Sequence, residues 1–435
     1  MTKKITAALL TLLLALSCTG CAGADSAAAS ADGVQSQNTG SLISTAGSSD
    51  PTSESSTGAA VTTLANVTTG GAIDASELFT DRDLRQTPDL TDAVSCTVSD
   101  GEDISITAEG VYVFSGTASE VTILVEAGDS DKIQLVLDGL SITNSDFPCI
   151  YVKNAGKVFV TTTESENSLT VTDAFTADGD TNTDAVIFSK DDLVLNGLGT
   201  LSLRSSHNGV SSKDDLKVTG GTLIVDAASK ALEANDSIRI ADGSLTLTAG
   251  TDAIHASDDS DMTVGYVYIC GGTLNIQAGD DGIHAVTIAQ IDGGTLNITA
   301  AEGIEATQIQ INGGDISISA SDDGINAARK SSAYTVLFEM NGGTLTIVMG
   351  RGDTDGIDAN GSLVINGGTI DISAQSPFDY DGTAQYNGGT IIVNGQETNA
   401  ITNQFMGGMG GMGGPGGGGG FGGGPGGGGG FGGRR

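Results

Sequence analysis

Asp292-Gly-Gly-Thr-Leu-Asn-Ile-Thr-Ala-Ala-Glu-Gly-Ile-Glu-Ala-Thr-Gln-Ile-Gln-Ile311 decides how this chain folds. A Gly-Gly pair leads into the alternation Leu296, Ile298, Ala300. The acidic stretch Glu302-Gly-Ile-Glu305 follows, then a second alternating run that ends at the next Gly-Gly pair. Related units open at Gly220-Gly221, Gly271-Gly272, Gly313-Gly314, Gly342-Gly343, Gly367-Gly368 and Gly388-Gly389. A repeat of roughly 22 residues marks a solenoid, whereas the blades of a β-propeller need about 40–45. Period-two alternation puts Leu296, Ile298 and Ala300 on one side of a strand and Asn297 and Thr299 on the other. One such strand cannot bury its apolar side alone, but stacked copies bury it continuously. The expected fold is all-β: a single-stranded, right-handed parallel β-helix, read as two strands per coil joined by an acidic corner. Roughly a dozen rungs at ~4.8 Å make a rod on the order of 55 Å long.

The rest of the chain frames this body. Met1–Ser17 reads as a secretion signal, with Lys3 and Lys4 before the apolar run from Ile5 to Leu16. Cys18 follows Ala-Leu-Ser and Cys21 follows Thr-Gly, each placed as the lipidated cysteine of a bacterial lipobox. Residues 1–21 are therefore read as signal and lipobox, and 22–75 as a disordered Ser/Ala/Thr-rich linker. Residues 76–396 are the β-helix, and 397–435 a Gly-rich flexible tail. Glu77–Leu90 is a short lead-in segment or cap. Cys96, Cys149 and Cys270 are too scattered for a disulfide framework or a zinc site.

A net charge of −36, from 54 acids against 18 bases, gives a surface that repels nucleic acid and anionic membranes. It attracts divalent cations. Copies of the acidic corner read Asp252-Ala-Ile-His255, Asp281-Gly-Ile-His284, Glu302-Gly-Ile-Glu305, Asp323-Gly-Ile-Asn326 and Asp355-Gly-Ile-Asp358. Stacking turns them into columns, in which two charges ~4.8 Å apart repel by about 3.5 kcal/mol at an effective dielectric near 20. A cation between rungs relieves that repulsion. Ca²⁺ takes six to eight oxygens in flexible geometry and suits carboxylates beside backbone carbonyls. Turn chemistry accounts for the Asp-Gly pairs but leaves Glu302, Glu305 and Asp358 unexplained. The candidate calcium ligands are Asp252, Asp281, Glu302, Glu305, Asp323, Asp355 and Asp358. A weaker second column holds Asp192, Asp215 and Asp236. His255 and His284 are read as surface residues in a mainly oxygen environment.

The strings Asp131-Lys-Ile-Gln-Leu-Val-Leu-Asp-Gly-Leu-Ser-Ile-Thr-Asn144, Ile150-Tyr-Val-Lys153, Val186-Ile-Phe-Ser-Lys-Asp-Asp-Leu193 and Ser212-Lys-Asp-Asp-Leu216 carry a resemblance. With the Gly-Gly-Thr-Leu repeats, the chain resembles the carbohydrate-binding β-helix lipoproteins of clostridia and related gut bacteria, over about Ser76 to Gln396. The resemblance implies a polysaccharide-lyase-like fold, binding of cellulose and polygalacturonate, and bound Ca²⁺. Lys230-Ala-Leu-Glu233 and Asn208-Gly-Val210 depart from the family's Asp-Gly-Ile pattern. At those rungs the ammonium of Lys230 stands in for a metal.

The expected protein is an extracellular, membrane-anchored lipoprotein and a monomer that binds plant-type polysaccharide without catalysis. A calcium bridge would let so acidic a surface meet a polyuronate. Tyr266 and Tyr268 share one strand face and are the best sugar platform in a chain without Trp. A surface ladder accounts for them equally well. A calcium-dependent uronate lyase and a purely structural, adhesive rod are the alternatives. For the lyase, Arg204, Arg239, Arg329, Arg351 and Lys330 fall in no recognisable catalytic motif.

Overall fold

The computed structural model describes residues 72–351 and 354–403. Thr295–Ala300 is one strand, and Glu302–Ile311 is a second that bends across two sides of the coil. Its first part, from Glu302 to Ala306, pairs with Asp281–Ala285, and its second, from Gln308 to Ile311, with Ile288–Ile291, across a register shift. Each coil therefore has three faces. Face A carries the Leu-x-Ile-x-Ala strands, face B the Asp-Gly-Ile-x-Ala motif, and face C the run before the next Gly-Gly pair. The acidic motif is thus part of a strand and not a corner, which corrects the two-strand coil expected from the sequence.

Neighbouring coils pair in parallel and in register. On face A, Leu274, Leu296, Ile316, Leu345 and Ile370 stack in succession. On face B, Ile254, Ile283, Ile304, Ile325 and Ile357 do the same. All ten are fully buried. At about 1.5–3 kcal/mol for each buried side chain, these columns supply the main drive to fold. An antiparallel hairpin, Thr390–Val393 with Gln396–Thr398, closes the last coil, and Ile401 packs on the core behind it. The folded body thus reaches beyond the boundary expected at residue 396. No helix among the described residues is long and apolar enough to cross a membrane.

Glycine serves two purposes in the repeat. The second residue of each Gly-Gly pair is left-handed, as at Gly294 (φ 97°) and Gly314 (φ 90°), a conformation that other residues resist. The glycine of the face-B motif answers a different need. A Cβ on Gly303 would lie 2.3 Å from the Gly324 carbonyl oxygen and 2.5 Å from Ile318 Cγ2. Close stacking of coils thus requires it, and the rungs that carry Ala231 and Ala253 pack with the extra methyl accommodated. Gly303→Ala is expected to cost about 1–3 kcal/mol through overpacking, read as a lower denaturation midpoint with an unchanged m-value. A neutral result would mean that coil spacing is slack.

Side-chain amides brace the turn beside the Gly-Gly pairs. Asn387 donates to Asn366 (2.7 Å), Asn366 to Asn341 (2.7 Å), Asn341 to Asn312 (2.8 Å), and Asn312 to Asp292 (2.6 Å). Cys270 occupies the corresponding place one rung earlier, just before Gly271-Gly272.

A strap lies across face C. The segment from Ala72 to Gln86 crosses successive rungs over the outward column Phe159, Val194, Lys217, Arg239, Tyr268, Gln290 and Gln310. The Ala72 and Ile73 amides donate to Gln310 (2.6 Å) and Gln290 (2.7 Å), and Arg239 donates to the Leu78 carbonyl. The guanidinium of Arg82 sits 4.5 Å over the Phe159 ring. Asp83 is wholly buried against Lys217 (3.1 Å) and Lys157 (3.5 Å). Residues 72–75, assigned to the linker from the sequence, belong to the body. The segment around Glu77–Leu90 runs along the flank and does not cap an end.

Candidate functional site

Face B carries the acidic motifs. The fourth motif position forms one outward column in register: Ser211, Glu233, His255, His284, Glu305, Asn326, Asp358 and Asp379. The first position, from Lys230 through Asp252, Asp281, Glu302 and Asp323 to Asp355, runs beside it. The column divides into halves of different electrostatic character.

In the upper half each carboxylate is paired with a basic side chain, although burial lowers the pKa of His255, the partner of Asp252. Glu233 lies 2.7 Å from Lys230 Nζ and 3.6 Å from Lys213 Nζ, and accepts from Ser211 at 2.8 Å. Burial works against its charge, but the two lysines outweigh burial and hold its pKa down to about 2. Asp252 contacts His255 Nδ1 at 2.7 Å, and Asp281 contacts His284 Nδ1 at 2.7 Å. Glu305 reaches the same His284 nitrogen at 2.9 Å and Lys330 Nζ at 2.5 Å. Burial opposes charge on His284, yet Asp281 and Glu305 lift its pKa to about 9. Neither ring is the surface group expected from the sequence, since both are mostly buried and stack on one another.

The lower half differs. No ion pair joins Glu302, Asp323 or Asp358 to a base among the described residues. Burial, reinforced by Glu305, Asp281 and Asp323, pushes Glu302 up to about 8. Asp323 rises to about 7 through burial and the charges of Asp358, Asp355 and Asp322. Asp358 rises to about 6 through burial, Asp379 and Asp355. Asn326 donates to Glu302 (2.9 Å) and Glu305 (3.1 Å), while its buried Oδ1 has no hydrogen-bond partner. A hard cation answers both features, supplying charge to the carboxylates and a partner to the orphaned amide oxygen. Asn326 stands in the quoted Asp323-Gly-Ile-Asn326, but its value as an oxygen donor shows only when its nitrogen is seen to be occupied.

The second acidic group brings Asp192, Asp214 and Asp215 within ligand reach of one another. Lys157 lies 3.2 Å from Asp192, and Arg239 and Ser237 hold Asp215 at 2.7 and 2.6 Å. Asp214, absent from the sequence candidates, is pushed up to about 6 by burial and by Asp192, Asp215 and Asp236. Asp236 is raised by burial and then by Asp215, Asp258 and Asp261. Protein cations already serve two of these four carboxylates.

The tyrosine platform does not survive in this structure. Tyr268 is 1% exposed, packs against Phe79 of the strap at 6.4 Å, and donates its hydroxyl to Asp292 at 2.8 Å. Tyr266 is half-buried, with the Arg239 guanidinium 5.2 Å from its ring centre. Neither presents a free face to a sugar.

Face A offers a different surface. Between the exposed Arg204–Asp226 pair and Asp371, its two middle outward columns are uncharged. They read Thr246 and Thr248, Asn275 and Gln277, Asn297 and Thr299, then Ser317 and Ser319, on consecutive paired strands. A shallow groove of about 430 Å³ is lined by the first six of these side chains, and a second groove continues it past Ser319 to Val348. Asn297 donates to Asn275 at 3.1 Å, leaving the other amide and hydroxyl groups of the strip turned to solvent. These are the x positions of x-Leu-x-Ile-x-Ala. Their lack of charge in so acidic a chain is visible in the sequence, but their continuity needs the register.

The lipidation candidates Cys18 and Cys21 lie outside the described residues, as do the linker before Ala72 and the tail beyond Asn403.

The sequence profile of a family described as carbohydrate-binding domain-containing protein matches residues 100–354 and 305–404. A protein of the same description from Acetivibrio thermocellus is 38% identical over 128 residues, or 28% of this chain and 44% of the relative. The match thus spans less than half of that relative's length. Among solved structures, the polysaccharide lyase-like protein from C. thermocellum, as a gadolinium derivative, is 31% identical. The alignment covers 52% of this chain and 93% of that one, with a TM-score of 0.44.

Proposed function

The chain belongs to the family of carbohydrate-binding domain-containing proteins, and from that premise we propose that it holds an extended plant-type polysaccharide along face A. The observation that carries this reading is the uncharged strip from Thr246 to Ser319 on a chain of net charge −36. Amides and hydroxyls exchange hydrogen bonds with sugar hydroxyls at little desolvation cost compared with charges. A ladder that repeats every ~4.8 Å meets a linear polymer at monomer after monomer. That neither Tyr266 nor Tyr268 offers an open ring face favours many weak polar contacts over a few stacked rings. A neutral glucan such as cellulose fits this strip best.

Ca²⁺ belongs to the same reading as a staple. Glu302, Asp323, Asn326, Asp355 and Asp358 would hold it on face B, where its charge offsets carboxylate repulsion. A second binding mode rests on those same residues: a polyuronate bridged to the acidic column by calcium. This reading makes the protein a binding module rather than a lyase, and two of the basic side chains considered for elimination are engaged elsewhere. Arg239 lies under the strap, bound to Asp215 and Leu78, and Lys330 is bound to Glu305. Lipid on Cys18 or Cys21 would present the rod at the outer cell surface.

Pull-down on cellulose and on polygalacturonate, with and without chelator, tests the reading. The triple variant Asn275→Ala, Gln277→Ala, Asn297→Ala is expected to bind cellulose at least tenfold more weakly, with an unchanged melting temperature. Chelator is expected to abolish polygalacturonate binding. Wild-type affinity in the triple variant would remove face A as the binding surface.

A further inference from the structure

The chain has three histidines, and two of them, His255 and His284, occupy adjacent rungs of one column. Their rings stack with centres 4.6 Å apart and planes 16° from parallel. Each Nδ1 is clamped by the aspartate three residues earlier, at 2.7 Å. His284 has a further neighbour, because Glu305 Oε2 of the next rung comes within 2.9 Å of the same nitrogen. The donor atoms of Asp281, His284 and Glu305 all lie within 4.8 Å of one another.

The surroundings hold these donors in place. Glu305 Oε1 is bound by Lys330 Nζ at 2.5 Å and by Asn326 Nδ2 at 3.1 Å, which turns Oε2 toward the ring. The Asp281 peptide N–H donates to Asp252 Oδ1 at 3.2 Å, tying this rung to the one before it. The stacked His255 ring limits rotation of His284. Outer contacts of this kind orient metal ligands in established sites.

The geometry points to a transition-metal site in which a divalent ion such as Zn²⁺ is bound by His284 Nδ1, Asp281 Oδ2 and Glu305 Oε2, with water completing its shell. Nitrogen and carboxylate oxygen bind Zn²⁺ at ~2.0–2.2 Å, which puts neighbouring donors about 3 Å apart. The observed 2.7 and 2.9 Å ask for only a small expansion. On binding, the ion takes the place of the proton that Nδ1 holds between the two carboxylates, and that proton passes to solvent. Two carboxylates balance the ion's charge. The imidazole nitrogen sets this rung apart from the oxygen-only rungs at Glu302, Asp323 and Asp358, and selects Zn²⁺, Co²⁺ or Ni²⁺ over Ca²⁺. One shaft would thus sort two classes of cation by rung. The inference does not depend on which glycan the rod binds.

Titrating the chelator-stripped full chain with Co²⁺, followed by visible absorption, tests it. The expected result is a saturable band at one equivalent, displaced by one equivalent of Zn²⁺ and retained in tenfold excess Ca²⁺. His284→Asn is expected to weaken Co²⁺ binding at least tenfold, whereas His207→Asn, in the exposed histidine outside the column, leaves it unchanged. Absence of a saturable band, ready displacement by Ca²⁺, or wild-type binding in His284→Asn would each overturn the assignment. Should His284→Asn fail to fold, histidine nitrogen shifts of the wild-type protein on adding Zn²⁺ decide the question. Movement of the His284 Nδ1 resonance supports the site, and its constancy rules the site out.

Discussion

Stripped of divalent ions, the protein is expected to melt lower at pH 8 than at pH 5.5, by roughly 5 °C, and Ca²⁺ is expected to close most of that gap. The sign follows from the lower half of the face-B column. Glu302, Asp323 and Asp358 have folded-state pKa values raised to about 8, 7 and 6. Between their unfolded values near 4 and these folded ones, the unfolded chain has lost protons that the folded chain still holds, so stability falls as pH rises. His284, raised to about 9, acts in the same direction: its contribution is complete below pH ~6.5 and is lost as pH climbs through 9. Glu233, held down to about 2, acts oppositely, and its contribution disappears only below pH ~4.5. Solvent screening at these half-buried sites reduces the total to a few kcal/mol, which for a body of this size is roughly 5 °C. Calcium reverses the loss by making the ionised carboxylates the favoured form. Equal melting temperatures at the two pH values without divalent ions, or no response to Ca²⁺ at pH 8, would sink the calcium assignment.

Asp83→Ala is expected to be the most damaging single change in the strap, costing about 3–5 kcal/mol in chemical denaturation. Burial raises the pKa of Asp83, but the Thr80 amide together with Lys217 and Lys157 brings it below the ordinary carboxylate value. Lys217 is itself nearly inaccessible, with its pKa lowered by burial and by Lys157 and sustained by Asp83. Removing Asp83 leaves that ammonium buried without its counter-charge. The strap would then loosen, and Tyr268 and Arg239 beneath it would become open to solvent. Faster proteolytic cleavage between Ala72 and Gln86 is the accompanying sign. A cost under 1 kcal/mol would show that the apolar contacts of Phe79 and Leu78 hold the strap without the ion pair.

Much of this could be read from residue order. The alternation in Leu296, Ile298 and Ala300, repeated with Gly-Gly pairs at a period of roughly 22 residues, specifies a stacked solenoid, because units this short bury their apolar side only by piling on one another. The acidic motif's place in the coil is not legible in residue order, since Glu302-Gly-Ile-Glu305 looks like a turn by composition. Its isoleucine and alanine both point to the core, and its glycine serves close coil packing. The burial of His255 and His284 is hidden for a related reason: whether a polar side chain on an outward column is exposed depends on its neighbours one rung away.

What the sequence determined by itself is the class of fold and the columns, because period-two alternation and a fixed coil length act locally and repeat. Only the tertiary structure decided which carboxylates have a cation of their own. Lys330 reaches Glu305 from a loop, Asp83 reaches Lys217 across 134 positions, and Tyr268 is covered by a segment far earlier in the chain. Charge compensation and exposure depend on distance in space, and distance along the chain carries no record of it.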